Sequence, residues 1–228
     1  MFLIVQNDPR CPAGSCSRLL ADKGHPFSTI APYDGAALPD PASASGIIVL
    51  GGEMGVHDTV EHPYLARVIS FLRQALQAGT PLLGICLGGQ LLSYAAGGEV
   101  ISRSPYGEQG VCQVELTGEG ARDPLFRGLP DPFLTFQLHN DSFTLPPGAT
   151  LLASSHACPY QAFRLGQATY GVQFHPEVDP SIVAAWDLLS TPKTDHLSSF
   201  LAAEAAFNKV SQQLIGNFIS LAATPRLS

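Results

Sequence analysis

The chain has 228 residues, 45% of them hydrophobic and 14% charged, which supplies a sizeable core over one expected domain, 1–228, and excludes a disordered polypeptide. A formal net charge of -7 without any Lys/Arg run excludes nucleic acid and anionic membrane as expected partners, since both require a basic footprint. A small neutral or zwitterionic substrate fits better. Five cysteines, at positions 11, 16, 86, 112 and 158, are odd in number and lack paired C-x-x-C spacing. Neither a disulfide framework nor a zinc site is indicated, and Cys11 and Cys16 read as loop thiols.

Residues 2–6 form an apolar first strand. They lack a basic leader region and are cut off by Asn7 and Asp8, so a signal peptide is not indicated and the cytoplasm is the expected compartment. Residues 15–23 are helical and closed by Gly24, and residues 25–31 make a second strand. A loop rich in Pro, Ala and Ser over 32–45 leads into Gly46-Ile47-Ile48-Val49-Leu50-Gly51-Gly52, a buried strand ending on two glycines. Strand, helix, strand, loop, strand predicts a parallel sheet. His62-Pro63 opens a helix with Leu65, Val68, Ile69, Leu72 and Leu76 on one face, which stops at Gly79. The stretch 81–98 is apolar, but Gln90 and five glycines within it suit a core turn better than a bilayer span.

In that stretch Leu82, Leu83 and Ile85 read as a strand, Gln90, Leu91 and Leu92 as a helix, and Gly84, Gly88 and Gly89 bracket Cys86 between them. A lone cysteine in an apolar run is more often a small buried hydrophobe. Here G-x-C-x-G-G spends three glycines where a plain strand–helix junction needs at most one, so Cys86 is placed as a nucleophile on a strained turn. The helix behind it directs free N–H groups and positive charge toward the sulfur. Ligands of open parallel sheets sit beyond the carboxyl ends of the strands. If the Gly51-Gly52 and Cys86 strands are neighbours, an N–H near Gly52 can join that of Leu87 as an oxyanion hole. An ordinary strand exit at Gly51-Gly52 remains the other reading.

After a helix over 88–96 the character changes. Segments 98–103, 111–116, 133–136, 150–154, 161–165 and 169–174 are short, often alternating, and separated by Gly, Pro and Asp. They read as antiparallel strands grafted onto the parallel sheet. The last delivers Phe174-His175-Pro176-Glu177, where His175 and Glu177, two apart in an extended segment, face the same way. Glu177 can then hold one imidazole nitrogen while the other faces a thiol, completing nucleophile, base and orienter. Residues 179–189 and 196–222 are helical, joined by a turn over 191–195. Trp186, Phe207, Val210, Leu214, Phe218 and Leu221 form a packing face that reads as structural.

At these residues the chain resembles the class I glutamine amidotransferases, whose marks are a G-x-C-x-G-x-Q elbow, here Gly84 to Gln90, and a later F-H-P-E, here Phe174 to Glu177. The resemblance spans about residues 1–178. It implies an α/β fold with an open, mostly parallel central sheet flanked by helices and an added antiparallel strand region, to which the helices read from the residues add a C-terminal helical extension over 179–228. It implies a triad of Cys86, His175 and Glu177, oxyanion donors in the backbone of Gly52 and Leu87, and a substrate contact at Gln90. Residues 137–141 look like the family's H-x-D segment that walls the glutamine site, through His139 and Asp141, with a structural histidine equally open at 139. Glu53 stands where relatives often carry proline and Gly89 where several carry histidine, and both bear on loop geometry and partner coupling.

The implied chemistry is cleavage of the glutamine side-chain amide through a cysteinyl thioester, with no metal or organic cofactor. The Asp-Pro-Leu-Phe segment at 123–126, the H-x-D loop and the long last helix look most like stand-alone proteins resembling the amidotransferase domain of GMP synthetase. No adenylate-forming or P-loop segment is visible. Three functions stay open: a glutamine-hydrolysing subunit serving an ammonia-accepting synthase, a self-contained γ-glutamyl peptidase or hydrolase, and a non-catalytic regulatory protein of the same fold.

Overall fold

The computed structural model describes residues 1–190 and 193–224. In chain order it contains β1 (Phe2–Val5), α1 (Gly14–Asp22), β2 (Phe27–Ile30), β3 (Gly46–Val49), α2 (Tyr64–Gln77), β4 (Leu82–Ile85), α3 (Leu87–Ala95), β5 (Val100–Ile101), β6 (Glu108–Leu116), β7 (Phe133–His139), β8 (Ser142–Phe143), β9 (Thr150–Ser154), β10 (Ala162–Leu165), β11 (Thr169–Val172), α4 (Pro180–Leu189) and α5 (His196–Ala223). Thr191 and Pro192, within the turn expected over 191–195, lie outside the described residues.

Alternation along the strands sets the layers. Phe2 and Ile4 of β1 point into a cluster with Ile48, Leu83 and Ile85, which Cys16 and Leu20 of α1 and Leu214, Phe218 and Ile219 of α5 cover. Leu3 and Val5 point the other way, to Ile47, Val49 and Leu82 under Leu65, Val68 and Leu72 of α2 and Leu91 of α3. Both faces of these strands are thereby sealed, which is why they read as unbroken apolar runs. Each such side chain contributes about 1.5–3 kcal/mol of burial.

Among the described residues the main sheet has nine strands in the order β2-β1-β3-β4-β11-β10-β9-β6-β7. The run β2 to β11 is parallel, and β11 to β7 continues it with antiparallel pairs. The α/β fold expected from the sequence is the one adopted. One strand is corrected: the segment expected over 98–103 shrinks to β5 and does not join this sheet. It pairs with β8 in a separate two-stranded ribbon, Val100 opposite Phe143, because Phe143 is anchored edge-on against Phe163, 5.1 Å between ring centroids. One thiol expected in a loop is also corrected, since Cys16 sits within α1 with no exposure, whereas Cys11 does lie in a bend and is buried there. No helix of the described residues is long and apolar enough to cross a membrane.

The topology brings four carboxyl ends together. β1, β3, β4 and β11 all point the same way, so residues 7–10, 50–54, 86 and 173–177 emerge at one edge of the sheet.

Candidate active site

Cys86 leaves β4 with φ 50° and ψ -111°, a region that side-chain-bearing residues rarely occupy. The neighbouring glycines make this conformation affordable. A Cβ at Gly88 would lie 2.0 Å from the Val49 carbonyl oxygen, and one at Gly84 2.5 Å from that of Gly88, so α3 can start hard against β3 and β4 only with glycine at both places. The Cys86 N–H donates to Val172 O at 2.8 Å, tying the turn to β11. Gln173, directly after β11, brings its Nε2 to 3.7 Å from Cys86 Sγ.

His175 Nδ1 lies 2.8 Å from Glu177 Oε1, with both residues almost wholly buried. The route to this pairing differs from the sequence expectation. β11 ends at Val172, and residues 175–177 form a turn at Pro176 rather than an extended segment. Three elements pin that turn: His175 N donates to Phe136 O of β7 at 2.8 Å, Ser15 N of α1 donates to Glu177 O at 2.8 Å, and Ser211 Oγ of α5 donates to Pro176 O. Burial works against a charged imidazole, but the Glu177 carboxylate and the Cys86 sulfur outweigh it and hold His175 well above its ordinary value.

Trp186, read from the sequence as a packing residue, belongs here too. Its ring stands edge to face with His175 at 5.0 Å between centroids, and its Nε1 donates to Arg10 O at 2.7 Å. A Cβ built on Gly51 would lie 3.1 Å from His175 Cε1 and 3.6 Å from Cys86 Cβ, so the loop after β3 faces both side chains. On Gly52 it would lie 2.9 Å from Leu87 Cδ2 and 3.5 Å from Asp8 Cβ.

These groups border a cavity of about 580 Å³ lined by Cys86, Gly52, Gln90, His139, Asp141 and His175, with Asp8, Arg10, Glu53, Arg103 and Trp186 around it. The size is ordinary for a small-molecule site. Leu87 and Glu177 stand behind the wall and are not part of the lining. Gln90 is buried, its Nε2 donating to Asp141 O at 3.1 Å. Asp141 Oδ1 accepts the Arg103 N–H at 2.8 Å. His139 Nδ1 lies 3.1 Å from Asp141 O, which as a carbonyl can only accept, so Nδ1 carries the proton.

Among the described residues, one group of His, Cys, Asp and Glu side chains is close enough to hold a metal: Glu108, His139 and Cys158, with ligand atoms within 4.8 Å of one another. Two of its three ligand groups already hold protein partners, while His139 Nε2 has none. Glu108 Oε2 accepts from Ser155 Oγ at 2.8 Å and from Gln161 Nε2, and Cys158 Sγ donates toward Tyr160 O at 3.6 Å. Sequence reasoning missed Asp8, Arg10, Gln173 and Trp186. Only Gln173 left a trace, two positions before His175 and on the opposite side from Phe174.

The class-I glutamine amidotransferase family model matches residues 25–183. The chain is 37% identical over 169 residues to the glutamine amidotransferase-like protein YfeJ of Salmonella typhimurium, covering 72% of this chain and 70% of that protein. It is 40% identical over 145 residues to the glutamine-hydrolysing GMP synthase of Aeropyrum pernix, covering 63% of this chain and only 26% of the synthase. The chain thus spans about a quarter of the length of that relative. A glutamine amidotransferase from Thermotoga maritima superposes with a TM-score of 0.88 at 27% identity, covering 98% of each chain. Another from Methylobacillus flagellatus gives 0.87 at 27%, covering 96% of this chain and 94% of its own. With its family model matched over most of the sequence and its fold shared with solved relatives, this chain belongs to the class-I glutamine amidotransferases.

Proposed function

We propose that the chain is a cysteine-dependent amidohydrolase that converts glutamine to glutamate and ammonia, residues 1–228 working as one unit. The observation that carries this reading is the strained Cys86, with φ 50°, beside an imidazole tied to a buried carboxylate at 2.8 Å and open to a cavity. In the proposed sequence, Cys86 sulfur attacks the side-chain carbonyl carbon of glutamine, and the carbonyl oxygen takes the negative charge in a hole made by the Gly52 and Leu87 N–H groups. Glu177 occupies Nδ1 of His175, leaving Nε2 to pass a proton to the departing ammonia. The thioester that remains is cleaved by water, whose proton returns to His175, and glutamate leaves. Gln90, His139 and Asp141 form the wall that holds the amino-acid end of the substrate.

A second reading, a self-contained γ-glutamyl hydrolase, is favoured by one feature: the cavity runs on from Cys86 to Trp186, Leu189 and Ser190, leaving room for a leaving group larger than ammonia. A synthase that receives the ammonia is the partner implied by the first reading. Ammonia release from glutamine, compared with amine release from a panel of γ-glutamyl amides and peptides, separates them. Efficient cleavage of a γ-glutamyl peptide with negligible action on glutamine selects the second. Failure of every substrate overturns both.

A further inference from the structure

We infer that Asp8 is a positioning residue that clamps the loop carrying the Gly52 N–H against Cys86, so that the oxyanion hole is held by this chain's own residues and forms without a docked partner. This rests on the reading of Gly52 as an oxyanion donor.

Asp8 follows β1 and is 2% exposed at the cavity edge. Its Oδ1 accepts from the Arg10 N–H at 2.9 Å and from Arg10 Nε at 3.0 Å. Its Oδ2 accepts from Arg10 Nη2 at 2.9 Å and from the Glu53 N–H at 3.2 Å. A carboxylate offers about four lone-pair sites, and these donors take them all. Asp8 therefore has no acceptor left for a substrate ammonium, although it borders the cavity; what it holds is protein. Burial pushes its carboxyl up, but the hydrogen bonds from Arg10 and from Glu53 outweigh this and keep it below the usual carboxylate range. The charge that the clamp needs is thus present across the neutral range.

The held peptide is the one joining Gly52 to Glu53. Fixing the Glu53 N–H fixes the plane of that peptide and anchors its first atom, the Gly52 Cα, so the Gly51–Gly52 peptide that carries the Gly52 N–H is held at its near end, in a loop packed so closely that a Cβ on Gly52 would lie 2.9 Å from Leu87 Cδ2 and 3.5 Å from Asp8 Cβ. Arg10 closes the loop from the other side, since its remaining Nη1 pairs with the Glu53 carboxylate. This accounts for glutamate at a position where a proline would remove the N–H that Asp8 takes. The same Arg10 accepts the Trp186 Nε1 hydrogen through its carbonyl, and Trp186 packs on His175. One charged fork therefore sits between the proposed oxyanion donor and the proposed base, with every contact supplied within the chain. Preorganised donors aimed at the developing charge are worth far more than donors that must be ordered during the reaction.

The test compares two reactions at Cys86 in the full chain. Acylation by p-nitrophenyl acetate passes through a tetrahedral oxyanion and needs the hole; alkylation by iodoacetamide displaces iodide at carbon and does not. In Asp8→Asn, whose NH2 group faces an Arg10 donor whichever way the amide is turned and so breaks the fork, acylation should slow by about 10-fold to 10²-fold while alkylation stays near the native rate. Amide hydrogen exchange at Glu53 should rise in the same variant. Should Asp8→Asn fail to fold, Arg10→Gln, which keeps the carboxylate but removes the fork, should show the same selective loss at smaller size. Equal slowing of both reactions, or no change in either, overturns the clamp. A native chain that acylates Cys86 but cleaves no γ-glutamyl amide overturns the proposed substrate and leaves the clamp to be decided by the acylation ratio. A native Cys86 that takes neither reagent overturns both.

Discussion

The molecule holds the same three residue types twice, and the two sets behave differently. Cys86, His175 and Glu177 meet at the carboxyl edge of the parallel strands, whereas Cys158, His139 and Glu108 meet within the antiparallel half. In the first set the imidazole Nδ1 is 2.8 Å from a carboxylate and the cysteine sits at φ 50° beside the cavity. In the second, Nδ1 is spent on the Asp141 carbonyl, Nε2 stands 3.7 Å from Glu108, beyond hydrogen-bond reach, and burial pushes the Cys158 thiol up. Composition does not separate the sets. A backbone that forces the sulfur outward, and a carboxylate placed on the correct ring nitrogen, do.

The sharpest way to break this contrast is to exchange the sulfurs. Cys86→Ser should abolish turnover, and a glutamine-like diazo-ketone should label Cys86 in the native chain, read by peptide mass. Label on Cys158 with Cys86 untouched would erase the distinction. Next in size, His175→Ala should cost about 10²-fold to 10⁴-fold in turnover through loss of proton transfer, with Glu177→Gln less severe because the glutamate only orients the ring. Native-like thermal unfolding must accompany both losses; full activity in both would put the base elsewhere.

The raised value of His175 adds a pH signature that sharpens the comparison. The folded chain keeps a proton that the unfolded chain releases near pH 6.5, so this share of stability is complete below that pH and is lost as pH rises through the folded value. Glu177→Gln removes the first of the partners that raise it. Its stability deficit against the native chain should therefore be widest at about pH 6 and narrow toward alkaline pH, as thermal unfolding across pH would show. A deficit that widens with pH contradicts the charge pairing. The smallest effect belongs to the second set: Cys158→Ala should leave turnover near native and cost about 1 kcal/mol of stability, measured by denaturant unfolding beside steady-state rates.

The elements of the site were unequally visible in the amino-acid order. The elbow was legible because its constraint is local: Gly84 and Gly88 must be glycine where an added Cβ would lie 2.5 and 2.0 Å from backbone oxygens, and such needs are written within a few residues of Cys86. The unbroken apolar runs likewise specified the parallel strands and their order of appearance, since burial on both faces demands continuous apolar stretches. His175 and Glu177 were legible as a pair, but through an extended geometry that the chain does not use. Their actual turn is held by Phe136, Ser15 and Ser211, from three elements distant in sequence.

The same divide covers the rest of the site. By itself the sequence determined the elbow, the layering and the residue types available for chemistry, because each follows from neighbours along the chain. Only the tertiary structure decided that Asp8 grips the Glu53 N–H, that Trp186 leans on His175 across 176 residues from its Arg10 partner, and that β5 leaves the main sheet to pair with β8. Those contacts depend on where a sheet of this topology brings the ends of β1, β3 and α4 together, and no local periodicity or propensity encodes the distance between them.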